Sequence, residues 1–292
     1  MITVRLSGGL GNQMFQYAAG LALARRHNTS TLLDARSFER DGLRQFALSC
    51  FGLRPTTDTA VVKNWPPNRR GLFNFSWWKL RYGAGVEYFR ERGRISQEQI
   101  THVGPSAYLH GYWQNECYFA DHAPDVRRSL QFVSDPDPAN RKWLDQIRER
   151  DAISVHVRRS DYTTDVVNQS LYATCDLSYY AKAASFLAER TSSSAYFVVF
   201  SDDPKWCTEN LSLPGETTYV SHNSGDTFFE DLRLMSACRH HIIANSTFSW
   251  WGAWLGENPD RTVVAPSNWY RDPGRDLDNP IPPNWIRMPV GG

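Results

Sequence analysis

Five cysteines in 292 residues (Cys50, Cys117, Cys175, Cys207 and Cys238) are odd in number, scattered, and never spaced as Cys-x-x-Cys. That excludes a secreted disulfide framework and fits a reducing compartment. No apolar run approaches the roughly 18–20 residues that a spanning helix needs. Only six residues precede Ser7-Gly8-Gly9, too few for the charged and apolar segments of a secretory leader, so a cytoplasmic protein is expected. Net charge is scant as well, +1, so no bulk field draws the chain to nucleic acid or membrane. Internal repeats and low-complexity blocks are absent.

What is present suits a sizeable core. Hydrophobic residues make up 41% and charged residues 22%, which excludes disordered and collagen-like classes. The length suits two domains of about 150 residues each, divided as 1–150 and 151–292. Charge is unevenly shared: 21 Lys+Arg against 14 Asp+Glu in the first half, 11 against 17 in the second. A basic half joined to an acidic half points to a cleft between two domains, or to an anionic ligand met mainly by the first.

The N-terminus reads as β-α-β. Ile2–Leu6 is a strand, Ser7–Gly11 a glycine-rich turn, and Asn12–His27 a helix with Met14, Tyr17, Ala18, Leu21 and Ala24 on one face. Thr31–Asp34 returns as a strand. Between residues 55 and 105 aromatic and basic residues alternate, which predicts short elements and loops. A strand at 107–113 and helices around Tyr118 and 141–150 close the half. From Asp151 onward strand-like runs (152–157, 196–200, 217–220, 240–244, 262–265) alternate with helical stretches. That pattern predicts an α/β fold with a parallel sheet covered on both faces. Ligands of such sheets bind beyond the carboxyl ends of the strands.

Three predicted strand ends carry unusual polar residues. In His156-Val-Arg158-Arg159-Ser-Asp161, two adjacent arginines match phosphate oxygens in forked geometry, although pairing with Asp161 or another carboxylate is the plainer alternative. In Ser201-Asp202-Asp203-Pro204, an Asp either caps a helix or accepts hydrogen bonds from a base such as guanine. In Asn245-Ser246-Thr247-Phe248-Ser249, hydroxyls and backbone amides at a helix start make an anion site or a simple cap. The following tryptophans, Trp250 and Trp251, are read as core. Gly8-Gly9-Leu-Gly11-Asn12-Gln13 has neither G-x-G-x-x-G spacing nor a Gly-Lys-Ser/Thr, yet it allows close backbone approach to a ligand. No metal-ligand spacing is evident: adjacent His240 and His241 on a strand face opposite sides.

Taken in order, Gly8-Gly-Leu-Gly-Asn-Gln-Met-Phe-Gln-Tyr17, Gly111-Tyr-Trp-Gln114, His156-Val-Arg-Arg-Ser-Asp-Tyr162, Ser201-Asp-Asp-Pro204 and Asn245-Ser-Thr-Phe-Ser-Trp-Trp-Gly-Ala-Trp-Leu255 resemble the bacterial α-1,2-fucosyltransferases of glycosyltransferase family 11. The resemblance runs from about Ile2 to Tyr270. It implies a GT-B-like α/β architecture: two Rossmann-like domains facing across a cleft, the N-terminal one on the acceptor side and the C-terminal one holding GDP-fucose. It also implies inversion at the fucose anomeric carbon with no metal and no cofactor beyond the donor substrate. Arg158 is then expected to hold the diphosphate and stabilise the leaving group, Arg159 to shape the motif, and His156 to face the nucleotide. Asp202 is expected to read guanine, and Ser246, Thr247 and Ser249 to lie near the phosphates. Gly9, Gly11 and Asn12 are expected to complete the donor pocket.

The implied reaction is attack of a β-galactoside 2-hydroxyl on the anomeric carbon through an oxocarbenium-like state. A base must take the hydroxyl proton, and Asp161 is the candidate; orienting Arg158 or Arg159 is its equally weighted alternative. The partners implied are GDP-fucose and a glycan of surface-polysaccharide or O-antigen type, with no nucleic acid. The aromatic-basic stretch Lys63–Arg94 is a candidate contact with a membrane that carries a lipid-linked acceptor, at the inner membrane face. An ordinary insertion covering the N-terminal core is the stronger reading.

Overall fold

The computed structural model describes residues 1–62, 65, 66, 76, 78, 80, 85–91, 100–159, 173, 175–191, 195–272, 274 and 279–290. The chain divides into two compact units, Met1–Val133 and Ser134–Gly292. The break precedes the division after Arg150, because the helix Pro138–Arg148 turns Leu144 and Ile147 into the core of the second unit, against Leu234 and Met235.

In the first unit, β1 (Ile2–Arg5), β2 (Thr31–Asp34), β3 (Glu87–Arg90) and β4 (Ala107–His110) form a parallel sheet in the order β2-β1-β4-β3. Helix α1 (Leu10–Arg26) links β1 to β2. The sequence suggests one apolar face, but α1 is buried all round from Leu10 to Ala24 apart from Asn12. Its run of small residues permits this: a Cβ on Gly20 would lie 2.1 Å from Val4 Cγ2, so helix and sheet touch backbone to side chain. Within the 55–105 stretch lie a short helix, α2 (Thr59–Val62), and β3, neither of which periodicity reveals. Around Tyr118 the expected helix is two 3-10 turns, followed by α3 (Ala123–Ser129), which Pro124 opens. Strand β4 stops at His110, short of the expected Trp113, because the Glu91 carboxylate accepts the amides of Tyr112 (2.6 Å) and Trp113 (3.2 Å).

The second unit holds a six-stranded parallel sheet: β5 (Ala152–Val157), β6 (Tyr196–Ser201), β7 (Glu216–Val220), β8 (His240–Ile242), β9 (Val263–Pro266) and β10 (Ile286–Met288). Their order is β10-β9-β8-β5-β6-β7, the doubly wound arrangement in which the chain reverses direction across the sheet between β5 and β8. Helices α4 (Pro138–Arg148) and α7 (Phe229–Ala237) cover one face; α5 (Leu177–Ala188) covers the other, placing Tyr179, Tyr180 and Leu187 on Ile153, Val155 and Val157. The remaining helices among the described residues of this unit are α6 (Pro204–Asn210) and α8 (Thr247–Leu255). Trp250, Trp251 and Trp254 of α8 pack with one another, and Trp250 also packs on Trp285 and donates to the Pro280 carbonyl at 3.0 Å. These indoles are core, as read. All five cysteines are free thiols. No helix among the described residues is long and apolar enough to cross a membrane.

Candidate active site

The reversal between β5 and β8 fixes where a ligand of the second unit belongs. In a parallel sheet the crevice opens beyond the carboxyl ends of the two strands that flank the reversal. Beyond β5 stand Arg158 and Arg159; beyond β8 stands the segment Ala244–Thr247 that opens α8.

All of β5 is buried, and the pleat sends successive side chains to opposite faces, so Ile153, Val155 and Val157 share one face, and Ala152, Ser154 and His156 the other. His156 is buried beside Phe248, ring centroids 6.1 Å apart, and its Nδ1 has no hydrogen-bond partner among the described residues. Burial, and secondarily the Arg158 charge, push its pKa down to about 4, so the imidazole is neutral near pH 7. The positive charge at this strand end therefore resides on the arginines.

Arg158 Nη1 lies 3.3 Å from Asp202 Oδ2, while the Arg159 amide donates to Asp202 Oδ1 at 2.9 Å. One carboxylate at the end of β6 thus holds both residues at the end of neighbouring β5. The guanidinium of Arg159 stacks on Trp206 at 3.6 Å and lies 3.7 Å from Asp203 Oδ2, which fastens it to α6. Asp203, not Asp202, caps α6, accepting the Trp206 amide at 3.1 Å. Asp161 lies outside the described residues.

At the start of α8, Ser246 Oγ accepts the Phe248 amide at 3.3 Å and the Ser246 carbonyl accepts that of Trp250 at 3.0 Å. The amides of Thr247 and Ser249 meet no acceptor among the described residues, which is what an anion at a helix N-terminus requires. The Ser249 hydroxyl is buried and donates to the carbonyls of Ser246 and Ala244 (3.3 and 3.5 Å). Asn245 is engaged inside, donating to the Ala173 and Trp269 carbonyls.

In the first unit the reversal falls between β1 and β4, and the two motifs that follow those strands meet there. Gln114 donates to Asn12 Oδ1 at 2.8 Å. Gly8 has φ +76°, and a Cβ there would lie 2.5 Å from Asn12 Nδ2, so the turn accepts only glycine. Gly9 caps α1 without a side chain, and Gly11 is buried in its first turn. Gln13 and Gln16, absent from the expected site, clamp this loop. Gln13 donates to the Gly8 and Gln45 carbonyls and accepts the Ala47 amide, all at 2.9 Å. Gln16 accepts the Ser7 amide at 2.9 Å. Two glutamines three residues apart right after a glycine turn are the signal that the sequence offers.

Composition also gave no hint of a polar network beyond β7. Asn140 bonds Asn223 (2.9 Å) and His222 (3.1 Å), and Asn223 donates to Asp231 at 2.8 Å. Burial pushes the Asp231 carboxyl up to about 7, opposed by that hydrogen bond and helped by neighbouring Glu230. Among the described residues no group of three or more His, Cys, Asp or Glu is placed to hold a metal ion. Most basic positions of the Lys63–Arg94 stretch lie outside the described residues; its Trp65 and Trp78 are buried, and Tyr88 stacks on Tyr108.

Residues 1–288 match the family model for Glycosyl transferase family 11. The chain is 31% identical to the alpha-1,2-colitosyltransferase of Escherichia coli, covering 99% of both chains. It is 30% identical to the O-antigen biosynthesis glycosyltransferase WbnK of the same species, over 97% of this chain and 99% of the other. With human galactoside alpha-(1,2)-fucosyltransferase 1 it shares 26% identity, over 87% of this chain and 65% of the other. Among solved structures, POFUT1 in complex with GDP superposes with a TM-score of 0.50 at 12% identity, covering 90% and 97%. That likeness concerns the fold, which is GT-B-like α/β as expected.

Proposed function

The chain belongs to glycosyl transferase family 11, and on that premise we propose that it transfers L-fucose from GDP-fucose to the 2-hydroxyl of a terminal galactose, in O-antigen or surface-polysaccharide synthesis. The transfer inverts the anomeric carbon and needs no metal. It takes place in the cytoplasm, on an acceptor carried at the inner membrane face.

The observation that carries this reading is the placement, at the carboxyl ends of adjacent strands β5 and β8, of the Arg158 guanidinium and of the Thr247 and Ser249 amides, which meet no acceptor among the described residues. As the bond between fucose and GDP breaks, negative charge grows on the diphosphate. A forked cation and oriented N–H dipoles are suited to that charge, and each such donor is worth about 2.7–4 kcal/mol in comparable sites. Asp202 keeps Arg158 extended at the strand end before the donor arrives. Neutral His156 walls the site without adding charge. Two roles are open to Asp161, taking the proton of the acceptor hydroxyl or orienting an arginine, and the Asp161→Asn variant separates them: only the first loses turnover by orders of magnitude.

A second reading, favoured by the 31% relative, keeps the site and the α-1,2 linkage but makes colitose the transferred sugar. Incubation with GDP-fucose and a panel of β-galactosides, with product mass and linkage determined, tests both. An α-1,2-fucosylated galactoside is expected. No fucosyl product with any acceptor, alongside transfer of colitose from its GDP form, would replace the first reading by the second.

A further inference from the structure

We propose that Phe228 is the stacking platform for the purine base of the donor nucleotide. The inference rests on the GDP-sugar reading of the site and adds to it a contact that none of the sequence motifs contains.

Phe228 is the one exposed aromatic side chain among the described residues of the second unit, with 37% of its surface open. One part of the ring packs on Phe248 and the rest is open, so it can receive a second flat group. Its position is at the ligand end of the sheet. The chain leaves β7 at its carboxyl end, forms the 3-10 turn Gly225–Thr227, and enters α7 at Phe228 before returning to β8. Phe228 therefore sits at the same end of the sheet as Arg158 and the start of α8.

The ring belongs to a file of aromatic groups that leads from the crevice floor outward. His156 lies 6.1 Å from Phe248, and Phe248 lies 6.3 Å from Phe228 at an interplanar angle of 36°. Phe248 directly follows Thr247, whose amide meets no acceptor among the described residues and is the proposed phosphate contact, so Phe228 stands one ring outward from it. A nucleoside diphosphate anchored by its phosphates at Thr247 and Arg158 extends its base outward from that point.

The platform is also held still. Ser224 and Thr227 form a reciprocal capping pair, with the Ser224 amide donating to Thr227 Oγ1 at 3.1 Å. Gly225, at φ +55°, permits the tight turn. A ring fixed in this way stacks on a base with little loss of side-chain freedom. Stacking recognises a flat base without hydrogen bonds, so Phe228 contributes affinity and leaves discrimination of guanine to other groups.

The test compares two probes, GDP and inorganic pyrophosphate, by calorimetric titration of the full chain. Pyrophosphate has the anionic groups but no base. Phe228→Ala is expected to weaken GDP roughly tenfold or more while leaving pyrophosphate within twofold, and Phe228→Trp to restore GDP binding. Phe228→Leu, which keeps the bulk but lacks the aromatic face, is expected to resemble the alanine variant and covers the case in which that variant fails to fold. Unchanged GDP affinity in Phe228→Leu, or equal weakening of both probes, overturns the proposal. Arg158→Ala should weaken both probes. If it weakens neither, it is the underlying reading of the phosphate site that fails.

Discussion

Asp202 binds Arg158 and Arg159 by different atoms: one carboxylate oxygen lies 3.3 Å from the Arg158 guanidinium and the other accepts the Arg159 amide at 2.9 Å. A single residue at the end of β6 thereby sets the geometry of the arginine pair at the end of β5. If Arg158 neutralises the leaving diphosphate, Arg158→Ala should reduce kcat by roughly 100-fold or more with the fold intact. Asp202→Ala should reduce it less and raise the KM for the donor. Steady-state kinetics with GDP-fucose and circular dichroism check both; near-native turnover of Arg158→Ala would refute the assignment.

The glycine loop gives a stability prediction. Gly8→Ala places a side chain in the left-handed region, at a cost of about 1–2 kcal/mol, and pushes on Asn12. The Asn12–Gln114 hydrogen bond should break with it. Chemical denaturation should show a lowered midpoint. Asn12→Ala, which relieves the clash, should recover part of the loss when combined with Gly8→Ala. Additive losses would mean that the contact is not the cause.

Asp231 makes stability depend on pH in a defined direction. Burial raises its carboxyl from 3.8 to about 7. Within that window the folded chain keeps a proton that the unfolded chain has released, so its contribution to stability is present at low pH and is lost as pH rises towards 7. Asp231→Asn removes this term. The melting temperature of the variant relative to the wild type should therefore rise between about pH 5 and about pH 8. A pH-independent difference would contradict it.

With charge neutralisation assigned to Arg158 and the α8 amides, an excess of EDTA should leave the rate of transfer nearly unchanged. Strong inhibition, reversed by added divalent cation, would overturn the metal-free mechanism.

Much of this construction is legible in the residues. The β1–glycine loop–α1 unit, and the strands that end in Arg158, Asp202 and Asn245, announce themselves through Val- and Ile-rich runs followed abruptly by polar groups. Other parts are not. Glu87–Arg90 and Ile286–Met288 become strands because β4 and β9 offer an open edge, a tertiary cause that short runs do not encode. Helix α4 precedes the arginine motif in sequence yet belongs with it, since its apolar face finds α7 rather than α1. The partners of the Ser249 hydroxyl are not legible either: at the third position of a helix it turns back to the preceding carbonyls. Gln13 and Gln16 look like ordinary helix residues until the turn that they clamp is seen.

The most direct measurement is a crystal structure of the chain with GDP. The account requires the two phosphates at the carboxyl ends of β5 and β8, with the Arg158 guanidinium and the amides of Thr247 and Ser249 within hydrogen-bonding distance of their oxygens. A nucleotide bound elsewhere, with Arg158 still paired to Asp202 and turned away from it, would contradict the account.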